Sequence, residues 1–156
     1  MASDISYVIT QSNNKTEKAA INYLLEKDSS FLNPTKSGRK RIMELLQLPR
    51  KYSRAFDLFK VPGSINSENE IVVSNVSEIQ LIELKTTKKH LPNNPRGFFF
   101  GATENEFNIA KLLGVQYKFC FVCLHPDSLS YELLTLLELE ELIKTKRTQF
   151  QINLKN

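Results

Sequence analysis

Apolar residues recur at helical spacing in Thr16–Lys27, where Ala20, Ile21, Leu24 and Leu25 share a face and Thr16 is a suitable N-cap. A short strand is expected before it, at Ile5–Thr10. A second helix is expected at Gly38–Leu48, with Ile42, Leu45 and Leu46 on one face. Its first turn carries Arg39, Lys40 and Arg41, against the helix dipole, so a partner supplying negative charge would relieve it. Ala55–Val61 alternates as a strand does and stops at Pro62-Gly63, and Ser64–Asn69 reads as a polar loop. Ile71–Val73 is expected as a short strand, and Glu78–Thr86 is the strongest strand pattern in the chain. Gly97–Phe100, after a loop rich in Pro and Asn, reads as a short strand or an apolar loop. Thr103–Leu113 is a predicted helix with Phe107, Ala110 and Leu113 on one face and Gly114 as its stop. The strand Tyr117–Leu124, a Leu- and Glu-rich helix at Tyr131–Lys144 and a short strand at Phe150–Leu154 complete the reading. Strands in the middle with helices outside predict an α/β sandwich with a mixed sheet.

The 156 residues suit one domain, 1–156, with a core of its own. An apolar fraction of 41% is that of a globular protein, and no stretch approaches the roughly 20 apolar residues of a membrane span. The opening MASDISYVITQSNN lacks the basic and long apolar regions of a secretory signal. The expectation is therefore a cytoplasmic protein of a prokaryotic cell, with no membrane partner.

Lys and Arg number 21 against 17 Asp and Glu, a net charge of +4 that is weak evidence taken alone. Its distribution is more telling. Between Lys36 and Lys60 the cations Lys36, Arg39, Lys40, Arg41, Arg50, Lys51, Arg54 and Lys60 far outnumber the acids Glu44 and Asp57. Lys85, Lys88, Lys89 and Arg96 form a second basic stretch without an acid. From Asp127 to Ile143 the acids Asp127, Glu132, Glu138, Glu140 and Glu141 stand without Lys or Arg.

Cys120 and Cys123 have C-x-x-C spacing within a run of aromatic and β-branched residues. Positions three apart on a strand face opposite sides of a sheet, so packing is favoured over a metal site or redox pair. His90 is a possible proton carrier, though a lone loop histidine is more often simply exposed.

Glu83 and Lys85 share a face of the strongest strand, beyond Ile79 and Leu81. A carboxylate and an ammonium ending a buried strand are unfavourable unless each has a partner. One explanation is a salt bridge where the chain leaves the core. Asp57 offers another: if its strand pairs with the next, Asp57 and Glu83 can converge on one edge of the sheet with Lys85 beside them, while Glu17 lies on the inward stripe of the first helix. Two hard carboxylates with open coordination positions suit Mg²⁺, with Mn²⁺ as an alternative. Such a site suits phosphodiester hydrolysis, with Lys85 positioning or deprotonating the nucleophile.

Asp57 followed by Glu83-Leu84-Lys85 resembles the bipartite motif of the PD-(D/E)xK nuclease superfamily, with Phe56 where the named pattern has Pro. Thr103–Ala110, leading through Leu113-Gly114 to Tyr117-Lys118-Phe119, is similar to the stretch after that motif in nuclease-like domains related to the NO VEIN protein. The resemblance runs from about Glu17 to Leu124. It implies a restriction-endonuclease-like sandwich, a central mixed β-sheet flanked by helices. It also implies a Mg²⁺-dependent DNA endonuclease in which Asp57 and Glu83 bind metal, Lys85 assists the water and Glu17 joins the site. Glu106 matches a recurring helix acid of those domains; its simpler reading is an acid favoured by the helix dipole.

Phosphate contacts by Lys and Arg dominate DNA affinity. Lys36, Arg39, Lys40, Arg41, Arg50, Lys51 and Arg54 on one side of the site in sequence, and Lys88, Lys89, Asn93, Asn94 and Arg96 on the other, are the candidate contacts to double-stranded DNA. One active site per chain requires a homodimer or higher homo-oligomer to cut both strands. The Leu-rich segment Tyr131–Ile143 is a candidate contact, with an amphipathic core helix as its simpler reading. The competing functional reading is a non-catalytic nuclease-fold module that binds DNA or a protein partner.

Overall fold

The structure, a computed structural model, describes the backbone from Ala2 to Asn156 and side chains from Asn14 onward. The chain runs as α1 (Ala2–Lys27), β1 (Phe31–Leu32), α2 (Lys36–Leu45), β2 (Leu58–Lys60), β3 (Gln80–Thr87), α3 (Glu104–Leu113), β4 (Tyr117–Cys123), β5 (Ser130–Leu134) and α4 (Leu136–Leu142). The strands form one sheet in the order β1-β2-β3-β4-β5, with β3 and β4 parallel and the other pairs antiparallel. This is an α/β architecture with a mixed sheet. Among the described residues no helix is long and apolar enough to cross a membrane.

Alternation along β3 and β4 divides the core between the two faces of the sheet. Ile82, Leu84, Cys120 and Val122 pack with Ala20 and Leu24 of α1. Leu81, Tyr117, Phe119 and Phe121 pack on the other face with Ile42 and Met43 of α2, Ile109 and Ala110 of α3, and Leu136 and Leu139 of α4. Both cysteines are buried and free. Cys120 belongs to the α1-side core, while Cys123 Sγ lies 3.2 Å from Lys89 O.

Several elements differ from the sequence reading. The span of α1 takes in Ile5–Thr10, expected as a strand, and holds Thr16 in its interior instead of at its cap. The second helix begins earlier, at Lys36, because Thr35 caps it by accepting from Gly38 N at 3.0 Å. Only Leu58–Lys60 of the expected strand Ala55–Val61 joins the sheet. Ile71–Val73 is not a strand: Asn75 accepts from Val72 N through its side chain, and Val72 O accepts from Asn75 N, closing a turn. Tyr131–Lys144 is not one helix. Tyr131, Leu133 and their neighbours pair with β4, and Thr135 with Glu138 forms a capping box that starts α4 only at Leu136. Gly97–Phe100 is an apolar loop, with Phe98 and Phe100 each packed edge-on against Phe121 at 5.0 Å. Phe150–Leu154 joins no sheet.

Candidate active site

β2 and β3 pair antiparallel with Leu58 opposite Ile82, which brings Asp57, just before β2, beside Glu83. Asp57 N donates to Ile82 O at 2.7 Å, and Asp57 Oδ2 accepts from Leu84 N at 2.7 Å. Backbone pairing and a side-chain bond together hold this carboxyl against β3. The segment before it is held as well: Arg39 of α2 donates to the carbonyls of Ser53, Phe56 and Asp57 and lies over the Phe56 ring. The Tyr117 hydroxyl of β4 donates to Ala55 O.

The Asp57 and Glu83 carboxyls are in hydrogen-bonding contact, as are those of Asp57 and Glu17. Burial, then the charges of Asp57 and Glu106, push the Glu83 carboxyl up to about 9 against the opposing charge of Lys85. Burial also raises Asp57, opposed by the bonds from Leu84 N–H and Glu83 and by the charges of Arg39 and Lys85. Burial, the Asp57 charge and the bond to Asp57 raise Glu17. The Asp57 and Glu83 carboxyls are thus both raised, chiefly by burial. Glu83 Oε2 is buried and has no hydrogen-bond partner among the described residues.

Lys85 leaves the same face of β3. Its Nζ donates to Glu106 Oε1 at 2.6 Å and to Gly101 O at 2.8 Å, and it lies 3.7 Å from Glu83 Oε1. Glu106 is buried at the start of α3, where Thr103 caps the helix. Thr103 Oγ1 accepts from Glu106 N at 3.1 Å and donates to Glu106 Oε2 at 2.9 Å, so both carboxylate oxygens of Glu106 are engaged.

The hard-oxygen donors and the donorless Glu83 Oε2 fit a divalent cation such as Mg²⁺, for which Asp57 and Glu83 are the ligands at hand. Among the described residues no group of three or more His, Cys, Asp or Glu is arranged to hold a metal ion. Mg²⁺ at phosphate-processing sites takes one or two carboxylates, with water and phosphate oxygens completing its shell.

Asp57 also borders a cleft of about 800 Å³ whose rim carries Lys36, Arg39, Lys40, Arg50 and Arg54. Met43, Leu48 and Phe56 form its apolar part. Of the other candidate DNA contacts, Lys51 is exposed with its Nζ 5.2 Å over the Tyr52 ring. Arg41 turns inward and donates to Ile71 O at 2.6 Å and to Glu68 O. Lys88, Lys89, Asn93 and Arg96 are exposed on their loop, while Asn94 donates to Phe121 O at 3.0 Å and serves the fold. Among the described residues the cleft wall takes none from that loop. His90 is exposed and shares a contact of 3.1 Å with Ser128 Oγ.

The cationic first turn of α2 finds its negative charge within the chain. Glu68 accepts from Thr35 N at 2.8 Å and from Thr35 Oγ1 at 2.7 Å, lying across the helix N-terminus against Gly38. Glu68, Tyr117 and the Gly101 carbonyl escaped sequence reasoning. The contacts they make join residues far apart in the chain, and no local pattern signals them. No family model, curated protein or solved structure matches the chain.

Proposed function

We propose that the protein is a Mg²⁺-dependent DNA endonuclease of the PD-(D/E)xK, restriction-endonuclease type, with Mn²⁺ able to replace Mg²⁺. The observation that carries this reading is the carboxyl pair of half-buried Asp57, which borders a basic cleft, and buried Glu83, which has a donorless oxygen. Two adjoining acids, one of them buried, are unfavourable to ionise together unless a cation joins them. Bound Mg²⁺ would acidify a water and neutralise charge on the scissile phosphate. Asp57 and Glu83 hold the cation, and Glu17 adds negative charge beside Asp57. Lys85, moored by Glu106 and Gly101 O, orients the attacking water and faces the phosphate with positive charge. Lys36, Lys40, Arg50 and Arg54 hold the DNA backbone along the cleft.

Incubating supercoiled plasmid with the protein and Mg²⁺ tests this reading. The parent chain should nick it, and Lys85→Ala and Asp57→Asn should not; equal nicking by parent and variants rejects the proposal. A second reading, a DNA-holding module that does not cut, is favoured by the engagement of Lys85 with Glu106 and by a cleft wall that includes Asp57 but neither Glu83 nor Lys85. It predicts intact plasmid under all metal conditions, together with binding that weakens steeply as salt rises.

A further inference from the structure

Phe150, Ile152 and Leu154 alternate with Gln151 and Asn153, the period of a strand with one apolar face. All three are strongly exposed, at 80, 75 and 86%, and the segment belongs to no sheet. Single exposed apolar residues are ordinary, but a period-two row of them is a strand face without a partner. Just past α4 the chain meets α3. α4 packs on β4 and β5, and Lys146 Nζ, just past α4, sits 4.9 Å over the Phe107 ring of α3. α3 in turn packs against the Arg50–Tyr52 turn.

The sheet ends on β5, which has a hydrogen-bonded neighbour on one side only. Such an edge presents backbone donors and acceptors to an added strand. β5 has five residues, matching Phe150–Leu154, whereas the opposite edge, β1, has two. Charge favours the same match. Exposed Glu132 of β5 and Glu138, Glu140 and Glu141 of α4 lie on the acceptor side. Lys146, Arg147 and Lys155 flank the apolar segment.

We propose that Phe150–Leu154 of one chain adds as a strand to the outer edge of β5 in a second copy. The exchange is reciprocal and closes a two-fold dimer through two strand additions. The pairing stands whether or not the carboxyl site cuts DNA.

Light scattering on the full chain over a range of concentrations should give a mass near twice 18.0 kDa. Ile152→Pro removes a backbone donor from an exposed segment. It should return the mass to one chain while leaving the far-ultraviolet circular dichroism spectrum of the fold unchanged. A fluorescein-labelled peptide spanning residues 148–156 should then bind the Ile152→Pro chain saturably and protect the Ser130–Leu134 amides from hydrogen exchange. The same peptide carrying the Ile152→Pro change should not bind. A parent chain that is monomeric at every concentration overturns the proposal. So does a dimer that survives Ile152→Pro, or a peptide that fails to bind or leaves β5 unprotected.

Discussion

Lys85 Nζ stands 2.6 Å from Glu106 Oε1 and 3.7 Å from Glu83 Oε1, so the lysine of the Glu-x-Lys strand is neutralised chiefly by a helix acid. That division leaves Glu83 to face Asp57 and gives Lys85 a fixed position.

The Lys85–Glu106 pair is almost fully buried, so removing one partner strands the other's charge. Glu106→Leu should lower stability in urea denaturation by about 3–5 kcal/mol. The double variant Lys85→Met with Glu106→Leu should recover most of that loss. Strict additivity of the two single changes would show that the pair is not energetically coupled.

Without divalent cations, Glu83 should make the protein less stable as pH rises. Its carboxyl holds a proton up to about 9 in the folded chain, against an unfolded value of about 4.3. Between those limits the folded state binds more protons than the unfolded state, so stability falls with increasing pH. Thermal melts in chelator from pH 5 to pH 9 should show this decline in the parent and a flatter profile in Glu83→Gln. Added Mg²⁺ should raise the parent's melting temperature more at pH 8.5 than at pH 5.5, because cation and proton compete for the same carboxyls.

A methyl group at Gly38 would fall 1.6 Å from Glu68 Oε2. Gly38→Ala must therefore displace the carboxylate that bonds Thr35 at the N-terminus of α2. We expect a loss of about 1–2 kcal/mol, comparable to losing a helix cap. In Glu68→Ala the same Gly38→Ala change should be nearly neutral, since the clash is gone; chemical denaturation of the four chains measures the coupling.

The basic residues divide into two kinds. Arg39 donates to three backbone carbonyls around Asp57, so Arg39→Ala should lower the melting temperature. Lys40 and Arg54 are exposed at the cleft. Lys40→Ala and Arg54→Ala should leave melting unchanged while weakening DNA binding and reducing the log–log salt slope by about 1 each. Fluorescence anisotropy with a short duplex at several salt concentrations separates the two kinds; unchanged affinity in both variants would remove the cleft from the DNA interface.

Local patterns were read well where one element states its own rule. The alternation of Glu78–Thr86 marks β3, and the spacing of Phe107, Ala110 and Leu113 with Gly114 marks α3 and its stop. The segment Tyr131–Lys144 was misread because the Leu- and Glu-rich composition common to both halves hides a change of period. The capping box at Thr135–Glu138 is the signal that divides them. Glu106 was legible as an acid at a helix start, but that it would turn one oxygen to Lys85 was not.

From the sequence alone came the α/β class, the Glu-x-Lys strand, the isolated Asp57 and the segregation of charge, because each is carried by neighbouring residues and their spacing. Only the tertiary structure decided that Asp57 meets Glu83, that Glu106 and not Glu83 is the nearer partner of Lys85, and that Glu68 answers the cationic start of α2. These pairings join positions far apart in the chain. Strand register and helix packing select them, and a charge pattern along one dimension does not say which acid reaches which base.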